Sequence, residues 1–570
     1  MVTCLVPLAL WILISGLDDL FITLAFLATR RRRFPWPGDA DLEQAPERRI
    51  AILVPLWREH RVIGQMLEHN LAAIRYSNYD IFVGVYPNDP ETKRAVDEVA
   101  SRHARVHAVI GAHDGPTSKG DCLNWVFRGM EGHESARGIR YEIVMTHDAE
   151  DLADADSLRL VSWFSRNYAM VQVPVLALPT PVAELTHGLY CDEFAEFQTK
   201  DIPMRQLLGG FLPANGVGTG FDRAALERLA STRGGMIFDP ACLTEDYENG
   251  LLLHALGYRQ IFLPVRLRSG RPTATREFFP RDFRSATRQR SRWVAGIALQ
   301  GWRNHGWRGP WPRAYWFWRD RKGLVGNLLS PLANLVFLAG LGNLASVPLW
   351  LSRLCLVTLA FAIVQVAIRA WSSARIYGWR FAAATPLRVA WGNVVNCVAT
   401  VTAIRQFADA CLRHRAMAWR KTDHVYPRPR LGELLVRMRT VPASEVERAA
   451  GNLPKGQRIG EYLVRMQRLS EESLYQALSV QSGIPAGPIG SREVDRRATR
   501  ALPAEMARRC KVLPFRLETG RLHVAVPDVP SPELNRELAG LSGLEIRYRL
   551  VPPAEFARLE REYLTATPRR

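Results

Sequence analysis

Tyr141–Asp151 reads YEIVMTHDAED. Its first half is a short apolar, β-branched run, and its second half carries Asp148, Glu150 and Asp151. Two earlier stretches have the same build, IAILVPLW over Ile50–Trp57 and YDIFVGVYPND over Tyr79–Asp89. Helical spacing fills the gaps between them, and the alternation runs from residue 50 to about 300, which predicts an α/β sheet with crossover helices. Ligands of such sheets sit outside the carboxyl ends of the strands, where Asp89 and the 148–151 acids fall. Carboxylates spaced Asp-x-Glu at a strand end suit a hard divalent cation that must also hold a diphosphate, because Mg2+ takes few protein carboxylates and completes its shell with phosphate and water. Taken alone, the cluster reads equally well as a solvated turn.

Motifs further along weigh toward the metal. Gly218-Thr219-Gly220 is followed by LTEDYE, whose Glu245 and Asp246 open an expected helix, and then by RQRSRW with Gln289, Arg292 and Trp293. Asp246 could take a proton from an acceptor hydroxyl. Arg292, always charged and fork-shaped, suits a phosphate clamp, and Trp293 offers a flat apolar face for a sugar ring. Each has a plainer reading when taken singly: helix N-terminal charge for Glu245 and Asp246, a snorkelling Arg and an aromatic belt beside a membrane for Arg292 and Trp293. Their joint order favours transfer chemistry on a phosphorylated donor.

The membrane is legible in the same way. Val2–Leu27 is apolar except for Asp18 and Asp19 and is followed by Arg30, Arg31, Arg32 and Arg33. No Lys or Arg precedes it and no cleavage site follows, so it reads as an uncleaved anchor with the N-terminus outside and residue 34 onward in the cytoplasm. Asp18 and Asp19 cost about 3 kcal/mol each near a helix centre, so they should face other helices or water; a polar path and an interfacial placement both remain open. Gly323–Ser352 is a run of 30 uncharged residues, followed by Leu354–Ile368 and Val389–Ile404. Three crossings would place the C-terminus outside; two crossings, with the third run flat at the interface, return the chain to the cytoplasm, and Asn393, Asn396, Arg405, Arg413 and Arg415 favour the second arrangement.

Composition narrows the class. The 570 residues carry 75 Lys and Arg against 56 Asp and Glu, a net charge of +19. Beside membrane runs this excess points to anionic lipid, and with no zinc-finger spacing or basic recognition helix, nucleic acid is excluded as a partner. The eight cysteines lie apart with no CxxC pair, which suits soluble parts in a reducing cytoplasm.

These residues resemble the membrane-embedded family 2 glycosyltransferases, the group of cellulose and hyaluronan synthases. The likeness rests on a strand ending in Asp89, the Lys-Gly segment SKGDCLN (Ser118–Asn124), the 148–151 acids, Thr-Glu-Asp at 244–246 and Gln-x-x-Arg-Trp at 289–293 before membrane helices. It implies an α/β GT-A (Rossmann-like) domain in an integral membrane protein. By that resemblance Asp89 meets the nucleotide base, Lys119 the nucleotide or its phosphates, and Asp148 with Glu150 a Mg2+ or Mn2+ ion. Asp246 becomes the catalytic base with Glu245 beside it, and Gln289, Arg292 and Trp293 hold the diphosphate and acceptor end. Glu150 stands where an Asp is usual, with Asp151 as a competing ligand, and PLWREH stands for the usual PxYNE.

The chain then repeats itself. RLGELLVRM (Arg430–Met438) returns 28 residues later as RIGEYLVRM (Arg458–Met466), seven of nine positions identical. Leu431, Leu434, Leu435 and Met438 follow helical spacing, so one reading is a pair of helical hairpins forming a docking domain. The other is a ligand with two equal halves, since each unit opens with a planar cation, an apolar wall and a glycine that permits close approach. The tandem unit resembles the cyclic di-GMP-binding MshEN domain of secretion and pilus ATPases, with residues 482–570 as its small α/β part. The resemblance implies ligand contacts at Arg430, Leu431, Gly432 and Leu435 in the first unit, and at Arg458, Ile459, Gly460, Leu463, Leu474, Leu478 and Gln481 in the second. Leu453 stands where the first unit would carry Gln, and no GxxxxGK[ST] loop is present, so this is the regulatory module without its ATPase.

Nearly the whole chain is similar to the inner-membrane phage-adsorption protein B (NfrB) family. The expected domains are an anchor at 1–29, a GT-A domain at 45–320, transmembrane and interfacial helices at 321–412, a tandem repeat at 425–481 and an α/β part at 482–570, the last two forming an α-helical/α+β regulatory domain. The expected activity is processive, inverting, metal-dependent transfer from a nucleotide sugar, such as a UDP-sugar, to a growing glycan. The product would be an exopolysaccharide exported from the bacterial inner membrane through an outer-membrane partner, under cyclic di-GMP control. A catalytically inactive receptor or scaffold, and a single-addition lipid glycosyltransferase, are the alternatives.

Overall fold

The computed structural model describes residues 2–30, 34–265, 267–268, 271–342, 347–415, 417, 431–437, 440–454, 456–482, 484–490, 493–518 and 520–564. Arg31–Arg33 and Arg430 lie outside them. Two compact units divide the chain, Met1–Pro427 and Arg428–Arg570.

In the first unit the strands are β1 (Ile50–Pro55), β2 (Tyr79–Val85), β3 (Val106–Ile110), β4 (Ile143–Thr146), β5 (Met170–Gln172), β6 (Val175–Ala177), β7 (Thr219–Asp222) and β8 (Gln260–Phe262). A pair of two-residue strands follows, β9 (Leu267–Arg268) and β10 (Arg271–Pro272), and then β11 (Thr275–Glu277). Seven strands form one sheet in the order β3-β2-β1-β4-β7-β5-β8. Strands β1 to β4 run parallel, as the sequence predicts, while β7 lies antiparallel between β4 and β5. The apolar runs fill both faces: Ile50, Ile52 and Val54 enter one core, and Ala51 and Leu53 the other. This double burial explains why β1 is continuously apolar rather than alternating.

The helices used below are α1 (Val2–Thr29), α2 (Pro90–Ala100), α3 (Lys119–Arg137), α4 (Leu185–Glu196), α5 (Glu245–Ala255), α6 (Phe283–Trp293), α7 (Gly323–Leu341), α8 (Leu349–Tyr377) and α9 (Thr385–Leu412). Among the described residues four helical spans are long and apolar enough to cross a membrane, at Leu5–Thr29, Trp311–Gly340, Leu349–Tyr377 and Thr385–Leu412. The last contains the run expected to lie at the interface. It touches both the sheet-bearing part of the unit and α7. Arg388 pairs with Asp192 of α4 at 2.7 Å, both side chains fully buried. Asn396 accepts from Arg290 of α6 at 2.7 Å, and Ala403 packs with Leu243 and Ala295. Along the same helix Thr400 accepts from Asn327 of α7 at 3.0 Å and Asn393 donates to Asn334 of α7 at 2.9 Å.

Asp18 and Asp19 do not stand open on a polar path. Asp18 accepts from Tyr315 Oη at 2.7 Å, Arg319 at 2.7 Å and Lys322 at 2.8 Å, and Asp19 pairs with Lys322 at 2.6 Å. Arg319 also reaches Asp201 at 3.2 Å. The two carboxylates tie the anchor helix to the base of the next membrane segment, and this satisfies the charges that made them costly.

In the second unit the repeat folds as four short helices, α10 (Leu431–Arg437), α11 (Ala443–Gly451), α12 (Ile459–Arg465) and α13 (Glu471–Ser482). They share a core with a three-stranded sheet of β12 (Leu513–Glu518), β13 (Arg521–Val526) and β14 (Glu545–Leu550). Strand β13 pairs antiparallel with β12 and parallel with β14, an α+β arrangement.

Candidate active site

A cleft of about 850 Å3, open to solvent, lies at the carboxyl ends of β1, β2 and β4. It gathers Lys119, Asp148, Glu150 and Asp246 with Gln289, Arg292 and Trp293, seven residues named from sequence. Each reaches it by a local device. Ser118 caps α3 by accepting from Asp121 N–H at 3.2 Å, which presents Lys119 at the helix start. Strand β4 stops at Thr146, so the acids occupy the loop beyond it. Helix α5 begins at Glu245, placing Asp246 in its first turn. Gln289, Arg292 and Trp293 share one face of α6 at i, i+3 and i+4, and a π-helical segment, Val294–Gln300, follows directly. Such bulges often mark functional sites.

Lys119 is the electrostatic centre. Its Nζ lies 2.6 Å from Asp148 Oδ1 and 3.9 Å from Glu245 Oε1. Burial disfavours its charge, but Asp148, Glu245 and Asp246 outweigh burial and raise its pKa above the usual lysine value. Burial, with the charge of Asp246 added and that of Lys119 opposing, pushes Glu245 up to about 7. Burial likewise raises Asp246, against the pull of Lys119. Gly216, at φ +75°, runs so close that an added Cβ would stand 2.5 Å from Asp246 Oδ2 and 3.3 Å from Lys119 Nζ. Only glycine fits there, and this residue closes one side of the Asp246 carboxylate.

Several cleft residues escape a reading by motif. Glu277 is the most telling. Leu152 and Arg276 exchange backbone hydrogen bonds of 2.8 and 3.0 Å, which draws β11 against the acid loop and brings Glu277 to the cleft wall. Burial, then the charges of Asp151, Glu150 and Asp148, raise its carboxyl well above the usual range. Glu59, Trp57 and Tyr86 also line the cleft. Trp57 and Tyr86 meet edge to face at 5.2 Å and offer an apolar wall for a planar base.

Asp89 is placed differently. It does not line the cleft: Oδ1 accepts from Thr92 N–H at 3.3 Å, capping α2, and Oδ2 from Arg58 N–H at 2.5 Å. The carboxylate braces Arg58, which has φ +54° and lies over Trp57 at 5.1 Å. Asp151 turns away from the cleft as well, accepting from Asp148 N–H at 2.9 Å and bonding His147 Nδ1 at 2.9 Å.

The remaining donors suit a hard cation. Asp148, Glu150 and Glu277 supply carboxylate oxygens, and the one nearby thiol, Cys122, is pushed up to about 12 by burial and stays neutral. Among the described residues no three of these carboxylates converge into a closed cage. An open set fits Mg2+ or Mn2+, whose shell is completed by substrate phosphate and water.

In the second unit the expected ligand residues divide into core and surface. Leu435, Leu463 and Leu474 are buried in the shared core. The glycines face neighbouring helices: a Cβ on Gly432 would meet Val446 at 2.7 Å, and one on Gly460 would meet Leu474 at 2.5 Å and Leu431 at 2.7 Å. Their close approach serves helix packing. Ile459, Leu478 and Gln481 are half-buried, and the Arg458 side chain is 65% exposed and paired with Asp528 at 2.5 Å.

Comparison with known proteins gives two family matches, "Glycosyltransferase like family 2" over residues 46–296 and "MshEN domain" over residues 482–569. The chain is 34% identical to Bacteriophage adsorption protein B of Escherichia coli strain K12, across 96% of this chain and 79% of that one. Among solved structures it resembles one described as MshE with cdg, at 26% identity, covering 24% of this chain and 98% of the other, with a TM-score of 0.22. It also resembles a mannosyltransferase of Pyrobaculum calidifontis in complex with GDP-Man and Mn2+, at 17% identity, 68% and 99% coverage and a TM-score of 0.43.

Proposed function

The chain belongs to the bacteriophage adsorption protein B family, with a family 2 glycosyltransferase domain of GT-A fold and a cyclic di-GMP-binding MshEN domain, and from that premise we propose that it is a processive, inverting, metal-dependent synthase of an exported polysaccharide. The observation that carries the reading is the convergence of Lys119, Asp148, Asp246, Arg292 and Trp293 on one cleft. Trp57 and Tyr86 form the wall for the nucleotide base, and Asp148 and Glu150, with Glu277, would hold Mg2+ or Mn2+. The metal, when bound, supplies positive charge to the donor diphosphate.

Asp246 accepts the proton of the acceptor hydroxyl as its oxygen bonds to the anomeric carbon. The bond from that carbon to the diphosphate breaks on the opposite side and inverts the centre, and the electron pair leaves with the nucleoside diphosphate. Lys119 and Arg292 stabilise the charge that gathers there. Trp293 offers its ring to the acceptor sugar, and its position before the membrane helices suits a chain that stays bound between additions.

The N-terminus lies outside, α1, α7 and α8 cross the inner membrane, and α9 lies along the interface, so the catalytic and regulatory parts are both cytoplasmic. Export requires an outer-membrane partner. The test is nucleotide release by the purified, detergent-solubilised chain with Mg2+ or Mn2+ and a panel of nucleotide sugars, with and without cyclic di-GMP. Release from one donor that rises with the dinucleotide and lengthens a glycan is expected. Release without lengthening would replace processivity with single addition. No release from any donor, with tight dinucleotide binding, would leave a receptor.

A further inference from the structure

At the opposite end of the sheet from the cleft, Asp80, His107 and His133 bring one ligand atom each within 4.8 Å of one another. Asp80 stands near the start of β2, His107 near the start of β3, and His133 near the end of α3. Strand alternation puts Asp80 and His107 on the face that α3 covers, with Phe82 between them. His107 stacks on Phe82 at 5.0 Å, and the two imidazole rings lie 4.3 Å apart. His107 Nε2 is 3.1 Å from Asp80 Oδ1, while Tyr141 Oη donates to Asp80 Oδ2 at 2.6 Å.

We propose that Asp80, His107 and His133 form a second divalent-cation site, selective for zinc-like ions and separate from the catalytic one. Two imidazoles and a carboxylate are the donor set that zinc takes, and they differ from the all-oxygen set of the cleft. Ligand atoms about 2.0–2.1 Å from a tetrahedral ion stand roughly 3.3 Å apart, so Asp80 and His107 already have that spacing, and the His133 ligand atom lies within 4.8 Å of both. Tyr141 serves as the outer partner that orients the carboxylate. Burial and the neighbouring His107 lower the His133 pKa, which favours the neutral, ligating ring. Burial works to raise Asp80, but hydrogen bonds from His107 and Tyr141 overcome it and keep the carboxylate charged. Arg49 and Arg137 stand near His133 and work against a cation, and the carboxylate of Glu134, which accepts from Tyr141 N–H at 2.6 Å, works for it. At the edge of the sheet such an ion would clip β3, β2 and α3 together. Helix α3 carries Lys119 at its other end, about 21 Å away at 1.5 Å per residue.

The test uses the untagged full-length chain in detergent, stripped of transition metal and kept in Mg2+. Zinc is titrated against a chromophoric chelator, and Co2+ is added as a visible probe. The wild type is expected to take up one tight equivalent, to show a tetrahedral Co2+ spectrum and to melt higher with zinc. The double variant His107→Gln, His133→Gln should lose that equivalent by more than the roughly 10–100-fold that removal of an outer partner costs, while Asp148→Asn retains it. Unchanged nucleotide release with Mg2+ would show that the double variant is folded. Equal zinc affinity in wild type and double variant, or a zinc effect on melting that survives in it, would overturn the proposal.

Discussion

At the residue scale the cleft is a balance of charges around Lys119. Glu245 and Asp246 are both raised, and the ammonium of Lys119 opposes the rise in each. A raised carboxylate acts as a base only above its own pKa, so kcat/KM should fall as pH drops through the range of this pair. The two acids titrate together, and the acid limb belongs to the pair rather than to either residue. Removing the charge that holds both down must move the limb toward higher pH. Lys119→Gln is therefore expected to lower kcat and shift the acid limb of kcat/KM upward, read from nucleotide release over about pH 5 to 9. A limb that stays in place or moves down would separate Lys119 from the base. The motifs Lys-Gly, Thr-Glu-Asp and Gln-x-x-Arg-Trp name most of this site because each stands at the start or on one face of a helix, where spacing fixes direction. Glu277 escapes because its place depends on the bridge between Leu152 and Arg276, residues 124 positions apart that no local pattern links. Asp89 shows a related limit: it does end its strand run, and its carboxylate also accepts from the Thr92 and Arg58 backbones, contacts that no motif reveals.

At the element scale, the sequence locates the apolar runs and the structure reveals what each leans on. Asp18, Arg319 and Lys322 are each about nine-tenths buried as side chains and form one network. Breaking a buried pair by removing one partner costs about 3–5 kcal/mol, because the other charge is left without compensation. Asp18→Leu should therefore lower the melting temperature in detergent sharply, and the double variant Asp18→Leu, Arg319→Leu should recover part of the loss. Full stability in the single variant would return Asp18 to the role of a polar path. Helix α9 shows the limit of hydropathy as a guide. By length and composition it could cross, and it meets Asp192, Arg290 and Leu243 on one side and Asn327 and Asn334 of α7 on another. Cys411, exposed near its end, tests the placement. In a Cys510→Ser background a membrane-impermeant maleimide should label Cys411 in inside-out vesicles and leave it untouched in intact spheroplasts. The reverse pattern would make α9 a fourth crossing.

At the scale of the whole molecule, a family 2 glycosyltransferase domain and an MshEN domain occupy one chain. The repeat is legible as two copies of one nine-residue phrase, and helical spacing gives its inward face. What spacing does not reveal is that the motif glycines serve packing against Val446 and Leu474, so the apolar half of each phrase builds the fold, while in the second phrase the Arg458 side chain stays 65% exposed. In the proposed reading Arg458 meets a phosphate of the dinucleotide. Its pair with Asp528 is solvent-exposed on both sides, and such pairs contribute only about 0–1 kcal/mol, so a phosphate can displace Asp528 at little cost. Arg458→Ala should then remove most cyclic di-GMP binding by calorimetry and abolish the rise in nucleotide release, while release without the dinucleotide stays as in the wild type, because the substitution touches neither the cleft nor the core. If Arg458→Ala binds as tightly as wild type, the repeat is a folding unit alone and the dinucleotide acts elsewhere. If it fails to bind yet the dinucleotide still raises release, control of the transferase does not pass through this unit.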